Sequence, residues 1–279
     1  MSYKTVLVHV SPSVHLDERI RHAASISVAE DAHLIGIATS GAARYVSHSL
    51  ADFSTAFQRH IEHLREPASD ALDRFDEMAR RYGVHSCERR LVDEEAGIGV
   101  CLQSKYCDLV VIEQVDPKEV SPLLYPDFPQ YVVLNSGKPV LILPYAQTFA
   151  SAGSRILIAW DASTAATRSV ANAIPMLKHA QTVELAMVNP EENLPAETYG
   201  SAPGADIALY LSRHGVRVNV TQHKTDESVG IALLAMAEEM GCDLIVMGCY
   251  GRSRFREILL GGVTRTVLEN MSMPLLMSH

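Results

Sequence analysis

The residues best suited to chemistry are the glycines of Cys242–Asn270, which reads CDLIVMGCYGRSRFREILLGGVTRTVLEN. Leu244–Met247 is a short apolar run that stops at Gly248, the pattern of a buried parallel strand. Gly248 and Gly251 are followed by nine residues and then by the pair Gly261–Gly262. Val263–Asn270 predicts a helix opening on that pair. A strand that ends in glycines and delivers a helix N-terminus suits a phosphate group. The backbone can approach closely because no Cβ intrudes, and the free N–H groups and dipole of the first helical turn favour an anion. With sixteen glycines in the chain, a lone GxxG says little; strand, G-x2-G-x9-G and helix in that order say more. The competing reading is a glycine-rich βα turn with no ligand.

Other reactive residue types have plainer alternatives. Arg252, Arg254 and Arg256 in the nine-residue spacer could neutralise phosphate, or form a solvated loop face. Cys249 inside the loop could be a reactive thiol or a passive loop residue. His60 and His63, with Glu62 between them, have helical spacing, but no Cys or Asp cluster supports a metal and none is expected. The chain has no GxxxxGK[ST] loop, no GxSxG elbow and no assignable nucleophile–base–acid set. No lysine sits in the glycine loop to polarise a γ-phosphate, so fast phosphoryl transfer is not expected. No catalytic residue is assigned; slow hydrolysis or self-phosphorylation is the most the motif allows.

Composition sets the frame. A chain of 279 residues with 47% hydrophobic content is ample for a packed core. Its net charge of −9 argues against a nucleic-acid surface. No apolar run approaches the ~20 residues needed to span a bilayer, and MSYKTVLVHV lacks a signal-peptide layout. The five cysteines are odd in number, without a CxxC, and read as reduced thiols. A cytoplasmic protein without nucleic-acid or membrane partners is the expectation.

The elements that must position the loop come in a repeated order. Strands are predicted at Thr5–Val10, Leu34–Thr39, Ser86–Val92, Asp108–Ile112 and Pro139–Leu143. They recur at Ile156–Trp160, Val183–Val188, Val216–Thr221, Leu244–Met247 and Pro274–Met277. Helices are predicted at Glu18–Glu30, Gly97–Lys105, Thr164–Lys178, Asp206–His214 and Val229–Met240. Ser47–Tyr82 reads as a long helical insertion broken or kinked at Pro67. VLVHVSPS (Val6–Ser13) parallels ILIAWDAS (Ile156–Ser163), and CDLVVIEQV (Cys107–Val115) parallels CDLIVMGCY (Cys242–Tyr250). Tyr145–Ser154 reads as a linker. The expectation is an α/β protein of two repeated five-stranded parallel-sheet domains, residues 1–146 and 155–279. Such sheets bind ligands outside the carboxyl ends of their strands.

The G-x2-G-x9-G pattern resembles the nucleotide-binding loop of the universal stress proteins, and the repeat extends that resemblance over nearly the whole chain. The resemblance implies a Rossmann-like, adenine nucleotide alpha hydrolase-like fold and ATP, with or without Mg2+, as ligand. It places Asp161 against the adenine amino group and Val188 at the base through its backbone; Met247, just before the loop, would pack near base or ribose, and both apolar residues read equally as core side chains. It places Gly248, Gly251, Gly261, Gly262 and Val263 around the phosphates. Asp161 could instead cap the following helix. Where the family commonly has Ser or Thr after the last loop glycine, this chain has Gly262; Thr264 is a candidate substitute. The resemblance also implies pairing, met by the two domains within the chain or by a homodimer.

The first copy has lost the loop. With an offset of 135 positions, Gly248 matches Glu113, Gly251 matches Asp116, Gly261 matches Pro126 and Gly262 matches Asp127. Ser11 takes the place of Asp161. Carboxylates would repel a triphosphate by roughly 1 to 4 kcal/mol per close charge, and proline removes a donor. The expectation is a degenerate first domain and a nucleotide-binding second domain that couples binding to regulation under stress. A scaffold acting through protein contacts is the rival reading.

Overall fold

The structure, a computed structural model, describes residues 2–46, 55–119, 124–146, 152–190, 204–249 and 262–279. The chain divides into two compact units, Ser2–Tyr145 and Ala146–His279.

In the first unit the order is β1 (Thr5–His9), α1 (Leu16–Glu30), β2 (His33–Thr39), α2 (Ala43–Val46), α3 (Thr55–Arg81), β3 (Cys87–Val92), α4 (Ala96–Ser104), β4 (Leu109–Glu113), α5 (Phe128–Asn135) and β5 (Val140–Leu143). The strands are parallel and lie in the order β3-β2-β1-β4-β5. Every residue of β4 and β5 is buried, as continuous apolar runs in a doubly covered parallel sheet should be. β3 (CERRLV) is polar and partly exposed, as suits a sheet edge. α1 ends at Asp31, whose left-handed φ of 50° turns the chain so that the Ala32 N–H donates to the Ser27 carbonyl at 2.8 Å.

The second unit repeats the plan with β6 (Arg155–Ala159), α6 (Thr164–His179), β7 (Thr182–Val188), α7 (Ala205–Arg213), β8 (Asn219–His223), α8 (Val229–Glu239), β9 (Leu244–Gly248), α9 (Gly262–Asn270) and β10 (Leu275–Ser278). Its parallel strands run β10-β9-β6-β7-β8. Both units share one fastening at the N-terminal edge of the sheet. Asp108 Oδ2 accepts from the N–H groups of Lys4 and Thr5 at 2.7 and 3.0 Å. Asp243 accepts from those of Gly153, Ser154 and Arg155 at 3.1, 3.1 and 2.8 Å. The Asp of each CDL triplet thus satisfies backbone donors just before the central strand begins.

Three sequence expectations need correction. Pro67 neither breaks nor ends α3, which runs continuously through it. The proline sits on an exposed stretch, where solvent can satisfy the carbonyl it frees; burial resumes at Ala68. β8 lies at Asn219–His223 rather than Val216–Thr221. It is an exposed edge strand, so its apolar residues carry no alternation to fix its bounds. α5 was not anticipated: FPQYVVLN buries Phe128, Pro129, Val132 and Val133, with proline in the first turn where its missing N–H costs nothing. Among the described residues no helix is long and apolar enough to cross a membrane.

Close helix–sheet contact in the first unit depends on Gly36 in β2. A Cβ there would come within 2.8 Å of the Phe75 ring on α3, and that ring is fully buried. Gly36→Ala is expected to lower stability by about 1–3 kcal/mol, measured as a shifted denaturant midpoint with an unchanged m-value.

Candidate nucleotide site at the edge of the second sheet

Four of the expected site residues meet at the carboxyl edge of adjacent strands. Ala159, the last residue of β6, is in register with Ala186 of β7 on one side and Met247 of β9 on the other. Asp161 follows two residues later. The Trp160 N–H donates to the Ala186 carbonyl at 2.9 Å and prolongs the ladder to that point. Val188 ends β7, paired with His223 of β8. Met247 is buried at 4% exposure, while Gly248 is half-buried at the strand end. Gly262 and Val263 open α9. Gly251 and Gly261, with the three spacer arginines, lie outside the described residues.

Gly248 is demanded by packing. A Cβ on it would lie 2.3 Å from the Ala166 nitrogen and 2.5 Å from the Ala165 carbonyl carbon, both backbone atoms of the first turn of α6. The Ser169 hydroxyl reinforces this crossing by donating to the Met247 carbonyl at 2.8 Å. Gly262 is different: among the described residues, nothing lies within 4 Å of where a Cβ there would be. The orientation of α9 is set by Gly230 in α8, where a Cβ would crowd Thr266 at 2.9 Å and the Val263 carbonyl at 3.1 Å. Thr264 is buried at 4% exposure, which leaves it poorly placed to replace a phosphate-binding hydroxyl.

Asp161 is not the cap of α6. That role belongs to Ser163, whose hydroxyl accepts from the Ala166 N–H at 3.1 Å. Asp161 Oδ1 accepts from the Ser163 N–H at 3.0 Å, a local turn that holds the carboxylate at the strand end. Between them Ala162 has φ of 55°, and Asn189, just past β7, has φ of 45°. These are uncommon conformations for residues with a Cβ, and such strain concentrates at functional edges. Asn189 is fixed by a reciprocal pair: its Nδ2 donates to the Thr225 carbonyl at 2.8 Å and its Oδ1 accepts from the Thr225 N–H at 2.9 Å. The sequence reading missed Asn189 and Ser163; an Asn after a strand and an x-Asp-x-Ser before a helix were the available signals.

Cys249 is a passive residue. Its thiol is buried, donates to the Ser278 carbonyl, and is pushed up to about 12 by burial, so thiolate is scarce at neutral pH. Among the described residues no three His, Cys, Asp or Glu side chains converge to hold a metal. His60 stacks edge-on against Tyr45 at 5.1 Å.

The corresponding corner of the first unit is filled. Arg19 of α1 forms an ion pair with Glu113, the residue that replaces Gly248; their side chains are 1% and 6% exposed. The hydroxyls of Ser11 and Ser13 donate to the two Glu113 oxygens, both at 3.3 Å. Arg19 Nη2 donates to the Ser11 hydroxyl at 3.0 Å and to its carbonyl at 3.3 Å. At the rim, His15 lies 3.4 Å from Asp116, and the Val14 N–H donates to Glu119 at 2.9 Å. His9, at the end of β1, is buried against Phe128 with ring centroids 5.0 Å apart. Neither of its ring nitrogens has a hydrogen-bond partner among the described residues. Burial first, and Arg19 second, hold its pKa well below the ordinary imidazole range.

Comparison with known proteins bears on both units. Residues 154–279 match the model of the Universal stress protein family. The second unit thus matches the universal stress protein family's model, over a little under half of the chain. A universal stress protein of Mycobacterium tuberculosis is 28% identical over 98 residues, covering 35% of this chain and 34% of that protein. One from Methanocaldococcus jannaschii is 41% identical over 44 residues, covering 16% of this chain and 27% of that protein. The matches thus span about a third or less of those curated relatives. The crystal structure of a universal stress protein from Archaeoglobus fulgidus superposes with a TM-score of 0.71 at 16% identity, over 98% of this chain and 95% of that one. That likeness extends the universal stress protein fold to both units, in tandem.

The buried imidazole makes stability depend on pH. Above about pH 6.5 His9 is neutral in the folded and the unfolded chain, and contributes no slope. Below it the unfolded chain takes up a proton that the folded state refuses, so stability falls by up to about 1.4 kcal/mol per pH unit until the folded pKa is reached. His9→Leu is expected to flatten the wild-type decline between about pH 6.5 and pH 5 by that one-proton slope, read from denaturant titrations across the range.

Proposed function

We propose that the second unit binds ATP or a closely related adenine nucleotide and that the first unit does not. The base would lie over the ends of β6 and β7, with Asp161 facing its amino group and the Val188 backbone beside it. Met247 would pack under base or ribose. The phosphates would run along Gly248 to the N–H groups of Gly262 and Val263 at the start of α9, with Gly251 and Gly261 completing the loop. Any Mg2+ would arrive on the phosphates, since the described residues offer no cluster to hold one. Binding would report nucleotide state to partner proteins under stress, in the cytoplasm, without rapid turnover.

The observation that carries this reading is Gly262. It stands exposed at a helix N-terminus, and among the described residues there is open space where a Cβ would be. A close-approaching anion explains it. The crossing at Gly248 supports the same reading, because it keeps a side chain out of the edge that the first unit fills with Glu113.

Gly262→Glu tests it without a packing penalty. A carboxylate at a helix start favours the fold, yet it opposes a triphosphate. Calorimetric titration with ATP and Mg2+ is expected to show one site per chain in the wild type and affinity at least about fivefold weaker in the variant, from roughly 1–4 kcal/mol of repulsion. Thermal stability without ligand should stay the same. Equal heats for the two proteins would remove the site and favour a scaffold that works through protein contacts.

A further inference from the structure

We propose that the first unit contains an anion site, built from the Arg19 guanidinium and the hydroxyls of Ser11 and Ser13, which the protein occupies with its own Glu113 carboxylate. This inference concerns the first unit and does not rest on nucleotide binding by the second.

With an offset of 150, Arg19 corresponds to Ser169, Ser11 to Asp161 and Ser13 to Ser163. Ser169 and the Gly248 strand end already touch in the second unit, through the Ser169 bond to Met247. In the first unit these same two positions carry Arg19 and Glu113. Two opposite charges have therefore been placed in one corner where the sister unit has a hydroxyl and a hydrogen. Each is nearly excluded from water. A buried charge is tolerated only with a partner, and here each is the other's, while Arg19 Nε has no hydrogen-bond partner among the described residues.

The backbone has been rearranged to receive the carboxylate. At Gly248 even a methyl group would strike the first turn of α6. α6 begins at Thr164, whereas α1 begins at Leu16, two positions later in the aligned numbering. The serine shared by both turns has changed its task. Ser163 caps α6 by accepting from Ala166, three residues on. Ser13 instead accepts from the His15 N–H, two residues on, at 3.0 Å, and gives its proton to Glu113. The three groups that hold the carboxylate, a guanidinium and two hydroxyls, are of the kind that hold a small oxyanion in other proteins.

The test is chemical rescue. Glu113→Ala in the full chain leaves Arg19 and both hydroxyls around a vacated carboxylate space. Formate is the probe, compared with chloride at matched ionic strength. Glu113→Ala is expected to melt about 5 °C or more below wild type, and formate to restore at least half of that loss. Formate should leave wild type and Arg19→Ser/Glu113→Gly unmoved. No response of Glu113→Ala to formate, or an equal response in wild type or the double variant, overturns the proposal. If Glu113→Ala does not fold, Arg19→Met/Glu113→Leu decides: it must fold, because it removes both charges and keeps the volume, and its failure would overturn the pairing. Nucleotide titration of the same variants should be unchanged, which separates this result from the fate of the second-unit site.

Discussion

The carboxyl edge of both units follows from how closely the fourth strand of each sheet approaches the helix after the first. In the second unit that approach leaves 2.3 Å between a would-be Cβ on Gly248 and the backbone of α6. At such a distance the choice is glycine or a moved helix. The second unit keeps the glycine, caps the helix with Ser163 and leaves the strand end bare. The first unit takes the alternative, and a glutamate, an arginine and a later helix start come as one set. Opposite ends of the two sheets behave differently, since Asp108 and Asp243 fasten the start of the central strand in the same way.

Much of this was legible in the chain. The order of strands and helices came from short apolar runs alternating with amphipathic segments, and the repeat from the CDL triplets and the first-strand octets. Matching Glu113 to Gly248 required only the spacing. What escaped was Arg19. An arginine in the first turns of an amphipathic helix reads as a solvated charge, and nothing local marks it as buried. Its meaning appears only when the helices are aligned by the same repeat and Ser169 is seen opposite it. Pro67 misled because a proline rule was applied without knowing that its stretch of α3 faces water. α5 was hidden by its brevity and its proline. β8 was misplaced because an edge strand exposed on most of its length has no periodicity to read.

The two units illustrate how one architecture separates scaffold from site. Fold depends on interior demands such as Gly36 under Phe75 and Gly230 under Thr266, where a side chain would strike a neighbour. Among the described residues, Gly262 answers to no such demand. The strained Ala162 and Asn189 lie at the same edge, held by short local hydrogen bonds.

The buried pair in the first unit also bears on how its history could run. Arg19 and Glu113 each depend on the other, and removing one partner from a buried pair typically costs about 3–5 kcal/mol, a large share of a domain's total stability. A return to the bare strand end by single steps would pass through a chain carrying a stranded charge. The first unit is therefore kept from its sister's bare strand end by a stability valley, and only a simultaneous double replacement would cross it.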